Sequence, residues 1–224
     1  MKTILFADDI PASLDLFEAI LQRAECRFLR AEDGPAALAT ARRERPDLVY
    51  LDIEMPHLKG DEVCRILKAE LDFAKTPVVL VSARDGEGLA AKCGADLFLK
   101  KPVDEPQLLS TLERFLSLLP RKEPRRSVDW PITFWREGSS HNGRIRDLSR
   151  TGFFMESKCV QAVGARLAIT FPIPREGKKE HRTFVGEAIV VRSEQESAPG
   201  MGCRFFRSTG SGQAALEAFL GRES

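Results

Sequence analysis

Leu48-Val49-Tyr50-Leu51-Asp52 is a run of four apolar residues that closes on a carboxylate. So short an apolar run reads as a strand. Similar runs recur on both sides at a regular interval: Thr3 to Ala7, Phe28 to Arg30, Val78 to Val81 and Leu97 to Leu99. Helical patterns lie between them. Leu14, Phe17 and Leu21 share one helical face, and Leu109, Leu112, Leu116 and Leu119 share another. Asp104 is placed to cap the last helix, with Pro106 in its first turn. Such alternation predicts an α/β doubly wound, five-stranded parallel sheet with helices on both faces. Sites in these sheets form at the carboxyl ends of the strands.

The polar residues fall at those ends. Asp8 and Asp9 close the first strand, Asp52 the third and Ser82 the fourth, while Lys101 follows the fifth. Carboxylates forced together repel, and a hard divalent cation such as Mg²⁺ relieves that repulsion. A metal-bound carboxylate beside an ammonium and a hydroxyl is equipped for phosphoryl transfer. The carboxylate attacks phosphorus, and the other groups neutralise or bond the equatorial oxygens. Singly, each residue is an ordinary cap, strand end or surface charge. Together, in this order, they describe a site.

Asp8-Asp9, Leu51-Asp52-Ile53-Glu54-Met55-Pro56 with Gly60, Val81-Ser82-Ala83, Gly94-Ala95-Asp96 and Lys101-Pro102 resemble the receiver domain of two-component response regulators, a flavodoxin-like fold. The resemblance covers about residues 1–119. It implies that Asp52 is the phosphorylated aspartate and a sensor histidine kinase its phosphodonor. It also implies that Asp8, Asp9, Asp52 and the Glu54 backbone carbonyl hold Mg²⁺, Asp8 mainly through water. Ser82 and Lys101 would contact the phosphoryl group, and Phe98 occupies the family's aromatic switch position. The lysine is doubled as Lys100-Lys101, and the residue two after Asp52 is acidic, which bears on the lifetime of the acyl phosphate.

The pattern changes abruptly after Leu119-Pro120, where the last helix is expected to stop and Arg121-Lys122-Glu123-Pro124-Arg125-Arg126 begins. Val128–Arg136, Gly143–Leu148, Gly152–Met155, Arg166–Phe171, Thr183–Arg192 and Met201–Phe206 read as strands. Turn signals separate them at Glu137-Gly138-Ser139-Ser140, His141-Asn142-Gly143 and Pro174-Arg175-Glu176-Gly177. A short helix from about Gly212 to Leu220 closes the chain. This spacing predicts a small antiparallel β-barrel. Domain bounds are therefore 1–119 and 120–224, with 120–127 serving as both hinge and arginine motif.

Arg121-x-x-x-Arg125, extended by Arg126, offers planar forks of donors that match phosphate oxygens and the edge of guanine. Asp147-x-Ser149-x-x-Gly152 supplies a carboxylate, a hydroxyl and a close-approach glycine. Together they suit an anionic, guanine-bearing ligand. With Val128-Asp129-Trp130-Pro131-Ile132 and Met201-Gly202-Cys203-Arg204-Phe205-Phe206, these motifs resemble the PilZ domain, a β-barrel receptor for cyclic di-GMP. The resemblance implies that Arg121, Arg125, Asp147, Ser149 and Gly152 bind the nucleotide. Arg126 is added to them from its position. Trp130 and Trp135 read as barrel core or rim.

Composition agrees with two modules. Of 224 residues, 43% are hydrophobic and 30% charged, as in a globular chain with real cores. Residues 1–120 carry 16 Lys and Arg against 21 Asp and Glu; residues 121–224 carry 18 against 12. An acidic half and a basic half suggest different partners. The acidic start argues against a signal peptide, so a cytoplasmic location is expected. Five cysteines without a C-x-x-C pair, and three histidines without ligand spacing, argue against a disulfide framework or zinc. No helix-turn-helix or zinc-finger pattern supports DNA binding, and no nucleophile-base pair marks the second half as an enzyme. Two readings stand: a phosphorylation-controlled cyclic di-GMP receptor that signals to a partner protein, and a receiver-driven adaptor whose barrel binds no nucleotide.

Overall fold

The computed structural model describes the chain except residues 23, 119–123, 175–180, 196–198 and 222–224. It divides into two compact units, Met1–Pro120 and Arg121–Ser224.

The first unit alternates strand and helix: β1 (Lys2–Ala7), α1 (Pro11–Leu21), β2 (Cys26–Ala31), α2 (Gly34–Glu44), β3 (Leu48–Asp52), α3 (Gly60–Ala69), β4 (Val78–Ser82), α4 (Glu87–Cys93), β5 (Leu97–Lys100) and α5 (Glu105–Leu116). The strands form one sheet in the order β2-β1-β3-β4-β5, and every pairing is parallel. β3 and β4 are buried along their whole length. That is why they read as continuous apolar runs rather than alternating ones. One core gathers Leu5, Val49, Leu51, Val63, Leu67 and Leu80. On β1 and β3, Phe6 stacks on Tyr50 with ring centroids 4.2 Å apart, and Phe17 of α1 packs 4.4 Å from Phe6.

Helix ends follow their caps. Asp33 accepts the Ala36 N–H at 2.7 Å to start α2, and Asp104 accepts the Gln107 N–H at 2.9 Å to start α5, as expected. The end of α5 differs from the expectation. The helix stops at Leu116, with Ser117 left-handed at φ 54°, and Leu119 lies outside the described residues. The buried stripe is also rotated, to Leu108, Thr111 and Leu112. Paired leucines at 108–109 and 118–119 make either phase look apolar.

The second unit runs β6 (Arg126–Arg136), β7 (Ser139–Leu148), β8 (Gly152–Glu156), β9 (Arg166–Pro174), β10 (His181–Glu194), β11 (Gly200–Ser208) and α6 (Gly210–Leu220). Its strands close into a barrel in the order β10-β11-β8-β7-β6-β9. Inside pack Ile132, Phe134, Phe153, Leu167, Phe171, Phe184, Met201 and Leu216. Trp130 sits against this core, 4.7 Å from Phe219, whereas Trp135 is 39% exposed.

β6 and β7 are joined at Glu137 and Gly138, with φ 52° and 82°. Positive φ at both turn residues matches the twist of a two-residue hairpin. The expected turn at His141-Asn142-Gly143 is instead the middle of β7. Gly143 is needed there for packing, because a Cβ would lie 2.7 Å from the Glu156 carbonyl oxygen.

Candidate functional site

Each unit gathers polar side chains at strand ends. In the first, Asp52 and Ser82 are the last residues of β3 and β4, and Lys101 lies one residue past β5. The pairings Asp52↔Val81 and Ser82↔Lys100 bring these ends to one edge. The Lys101 N–H donates to the Ser82 carbonyl at 2.8 Å, which fixes where the lysine starts.

Lys101 Nζ lies 2.7 Å from Asp8 Oδ2 and 2.7 Å from Asp52 Oδ1. The remaining oxygens are also bonded. Asp8 Oδ1 accepts the Ile10 N–H at 2.9 Å, and Asp52 Oδ2 accepts the Glu54 N–H at 3.0 Å. Both carboxylates are buried. Burial pushes the Asp52 pKa up, against the opposing pull of Lys101. Burial would lower the Lys101 pKa, but Asp52 and Asp8 together hold it above its ordinary value.

Asp9 is exposed, and one oxygen from each of Asp8, Asp9 and Asp52 falls within a 4.8 Å group. An octahedral Mg²⁺ holds oxygens at about 2.1 Å, hence about 4.2 Å across. Three carboxylates and one ammonium leave two net negative charges, which one divalent cation neutralises. Donor set and charge therefore fit Mg²⁺. Glu54 is exposed, and its carboxylate lies 3.8 Å from the guanidinium of Arg84.

Two glycines let the backbone close in. A Cβ on Gly60 would lie 2.1 Å from the Asp52 carbonyl oxygen, so the β3–α3 loop tucks beneath Asp52 only with glycine there. A Cβ on Gly86 would lie 2.7 Å from the ring of Phe98, which is half-buried. Ser82 is buried, and its Oγ accepts the Arg84 N–H at 3.1 Å.

In the second unit the register of β6 on β7 sets Ser127 opposite Asp147. Arg125, two residues earlier, falls on the same side. Register shifts between Ser127 and Trp130, and between Ile145 and Asp147, twist the strands at this point. Arg125 Nε donates to Asp147 Oδ1 at 2.7 Å, and Nη2 reaches the same oxygen. Both side chains remain partly open to solvent. One residue from each motif is thus brought together.

The other motif residues lie elsewhere. Arg121 is outside the described residues. Arg126 donates to the Phe219 carbonyl at 2.8 Å, and its guanidinium sits 4.8 Å from the Phe219 ring, at the end of α6. Ser149 is fully buried; its Oγ donates to the Gly152 carbonyl at 3.1 Å and its N–H to the same oxygen at 2.8 Å. A Cβ on Gly152 would lie 2.2 Å from the Cys203 carbonyl oxygen. Ser149 and Gly152 shape the loop, while Asp147 and Arg125 face outward.

Sequence reasoning missed the role of Thr151 in this loop and of Arg204 on β11. Arg204 Nη1 donates to Thr151 Oγ1 at 2.5 Å. The available signal was a lone charge inside the apolar run Met201–Phe206. It also missed a cleft of about 850 Å³ lined by Pro131, Asn142, Ser157, Cys159 and Pro199. None of its lining residues belongs to either motif.

Among known proteins, residues 4–113 match the response regulator receiver domain family and residues 120–222 the PilZ domain family. Protein PilH of Pseudomonas aeruginosa PAO1 is 37% identical over 120 residues, covering 52% of this chain and 99% of PilH. Response regulator PleD of Caulobacter vibrioides is 42% identical over 118 residues, 50% of this chain. The match spans only 26% of PleD's own length. The fold of the first unit is that of a candidate response regulator from Chloroflexus aurantiacus, 23% identical, TM-score 0.50, covering 52% of this chain and 98% of that one. Among the described residues, no helix is long and apolar enough to cross a membrane.

Proposed function

We propose, for a chain that belongs to the response regulators and joins a receiver domain to a PilZ domain, that it is a phosphorylation-controlled receptor for cyclic di-GMP. Receiver and PilZ domains are signalling modules, and neither is an enzyme domain. Asp52 takes a phosphoryl group from a sensor histidine kinase. Lys101, bonded to Asp8 and Asp52, supplies positive charge where phosphoryl oxygens arrive. Ser82, at the end of the next strand, supplies a hydroxyl to one of them. Asp8, Asp9, Asp52 and the Glu54 carbonyl would hold Mg²⁺, which neutralises phosphoryl charge when bound.

In the barrel, Arg125 binds phosphate or the guanine edge, and Asp147 accepts guanine N–H groups. Arg121 joins them by its place in the motif. Ser149 and Gly152 act by shaping the loop, and Arg126 by tying the start of β6 to α6. The complex then signals to a partner protein in the cytoplasm. The observation that carries this reading is the meeting of Arg125 and Asp147, one from each motif, at a solvent-facing position.

Titration calorimetry of the full chain with cyclic di-GMP tests it. Saturable binding by the wild type and its loss in Arg125→Ala support the reading. No binding by the wild type leaves the adaptor reading instead.

A further inference from the structure

The loop between β7 and β8 follows directly on the proposed nucleotide contact, Asp147 near the end of β7, and it is fastened from behind. Its three residues, Ser149, Arg150 and Thr151, separate Leu148 from Gly152. Ser149 closes the loop on itself through the Gly152 carbonyl. Thr151 fastens it to β11 twice. Its carbonyl accepts the Phe205 N–H at 3.0 Å, and its Oγ1 accepts from Arg204 Nη1 at 2.5 Å.

Arg204 is unusual on β11. Cys203 and Phe205, its neighbours, face the barrel core, so Arg204 points to the other side of the strand. It is nonetheless only 2% exposed. A guanidinium is costly to bury, and it is retained where its fork of donors fixes something. Here one donor is spent on a threonine hydroxyl in a motif loop, four residues after Asp147.

We propose that Arg204 is a positioning residue for the nucleotide site, acting through Thr151 to hold the Asp147–Gly152 loop in its binding shape. This rests on the reading that the barrel binds cyclic di-GMP. Arg204 itself touches no ligand. Its Nη1 bond pre-orders the loop, so less freedom is lost when the nucleotide arrives. Removing the bond loosens Thr151, which keeps its carbonyl bond to the Phe205 N–H, and with it the backbone that aims Asp147.

The test is a set of full-length variants titrated with cyclic di-GMP, with thermal melts in parallel. Thr151→Val keeps the shape and deletes the acceptor; Thr151→Ser keeps the acceptor. Thr151→Val should weaken binding about tenfold, the worth of one hydrogen bond to a charged group. Thr151→Ser should stay close to wild type. Adding Arg204→Ala to Thr151→Val should cost less binding than the two single losses summed, since the two substitutions share one bond. Amide exchange at Ser149 should quicken in Thr151→Val while Ala188 on β10 is unchanged. If Arg204→Ala fails to fold, the two Thr151 variants decide alone. Wild-type affinity in Thr151→Val, or a loss matched by Thr151→Ser, overturns the proposal. Absence of binding by the wild-type chain overturns the underlying reading, and this inference with it.

Discussion

Arg125 and Asp147, 22 residues apart in the chain, hold each other directly, Nε to Oδ1 at 2.7 Å. A ligand that takes either group must replace the other. A phosphate displaces Asp147 from the guanidinium, and an N–H edge displaces Arg125 from the carboxylate. A guanine nucleotide carries both, so it can exchange one pair for two.

Arg125→Ala should therefore weaken cyclic di-GMP binding by more than about 1.5 kcal/mol, over tenfold in affinity. Arg125→Lys should not restore it, because an ammonium lacks the planar fork. Calorimetry on the two variants decides. Equal affinities for wild type and Arg125→Ala would remove the arginine from the site.

Asp52 gives a pH signature. Burial raises its pKa in the folded chain, so the folded state holds that proton more tightly than the unfolded state does. Its contribution favours folding below the ordinary carboxylate pKa and is lost as pH rises through the raised value. Asp52→Asn should lack this limb and melt higher than wild type at neutral pH without Mg²⁺. Melts from about pH 4 to 8, across the carboxylate range, measure it. Stabilisation by Mg²⁺ should fade on acidification sooner than for an ordinary carboxylate, since protons and metal compete for Asp52.

Lys101→Met leaves Asp8 and Asp52 facing each other without the ammonium that bonds both. Breaking a buried pair in this way should cost the receiver roughly 3 kcal/mol. Millimolar Mg²⁺ should return part of it by replacing the lost positive charge. Urea unfolding with and without the metal reads both numbers.

Glu54 and Arg84 are exposed, and their charged groups lie 3.8 Å apart. Arg84→Ala should change stability by less than about 0.5 kcal/mol. It should still alter the rate of phosphate release after loading with acetyl phosphate, because the pair stands two residues beyond Asp52 and Ser82. An unchanged release rate would confine this pair to the surface.

Gly152→Ala places a methyl 2.2 Å from the Cys203 carbonyl oxygen, between β8 and β11. The barrel should lose more than about 3 kcal/mol or fail to fold. Circular dichroism melts of the variant test this. The motif's glycine is thereby explained by strand packing.

Much of this was readable from residue order. Asp52, Ser82 and Lys101 stand at strand ends because short apolar runs, buried on both faces, leave little doubt where a parallel strand stops. The barrel's strands were readable for a different reason, alternation, and β7 departs from it where Gly143 reads as a turn but serves close packing. Leu108 and Leu109 are adjacent, so periodicity alone could not fix the phase of α5. Ser149 looked like a ligand group because its type permits it, while its burial depends on contacts between distant strands. Arg204 stands out as a lone charge in an apolar run, but its partner Thr151, 53 residues away, was not legible for the same reason.

The ring of six strands has a consequence for recruitment. Each barrel strand is hydrogen-bonded to a neighbour on both sides, so a partner cannot dock on it by adding a strand of its own. Side chains and loops must do the recognising. Unpaired strand edges belong to β2 and β5. β5 is only four residues long and ends in Lys100. On β2, Arg27 and Arg30 are tied to Glu44 and Asp15 at 2.8 and 2.9 Å. Short length and charge are how natural sheets keep such edges from templating aggregates.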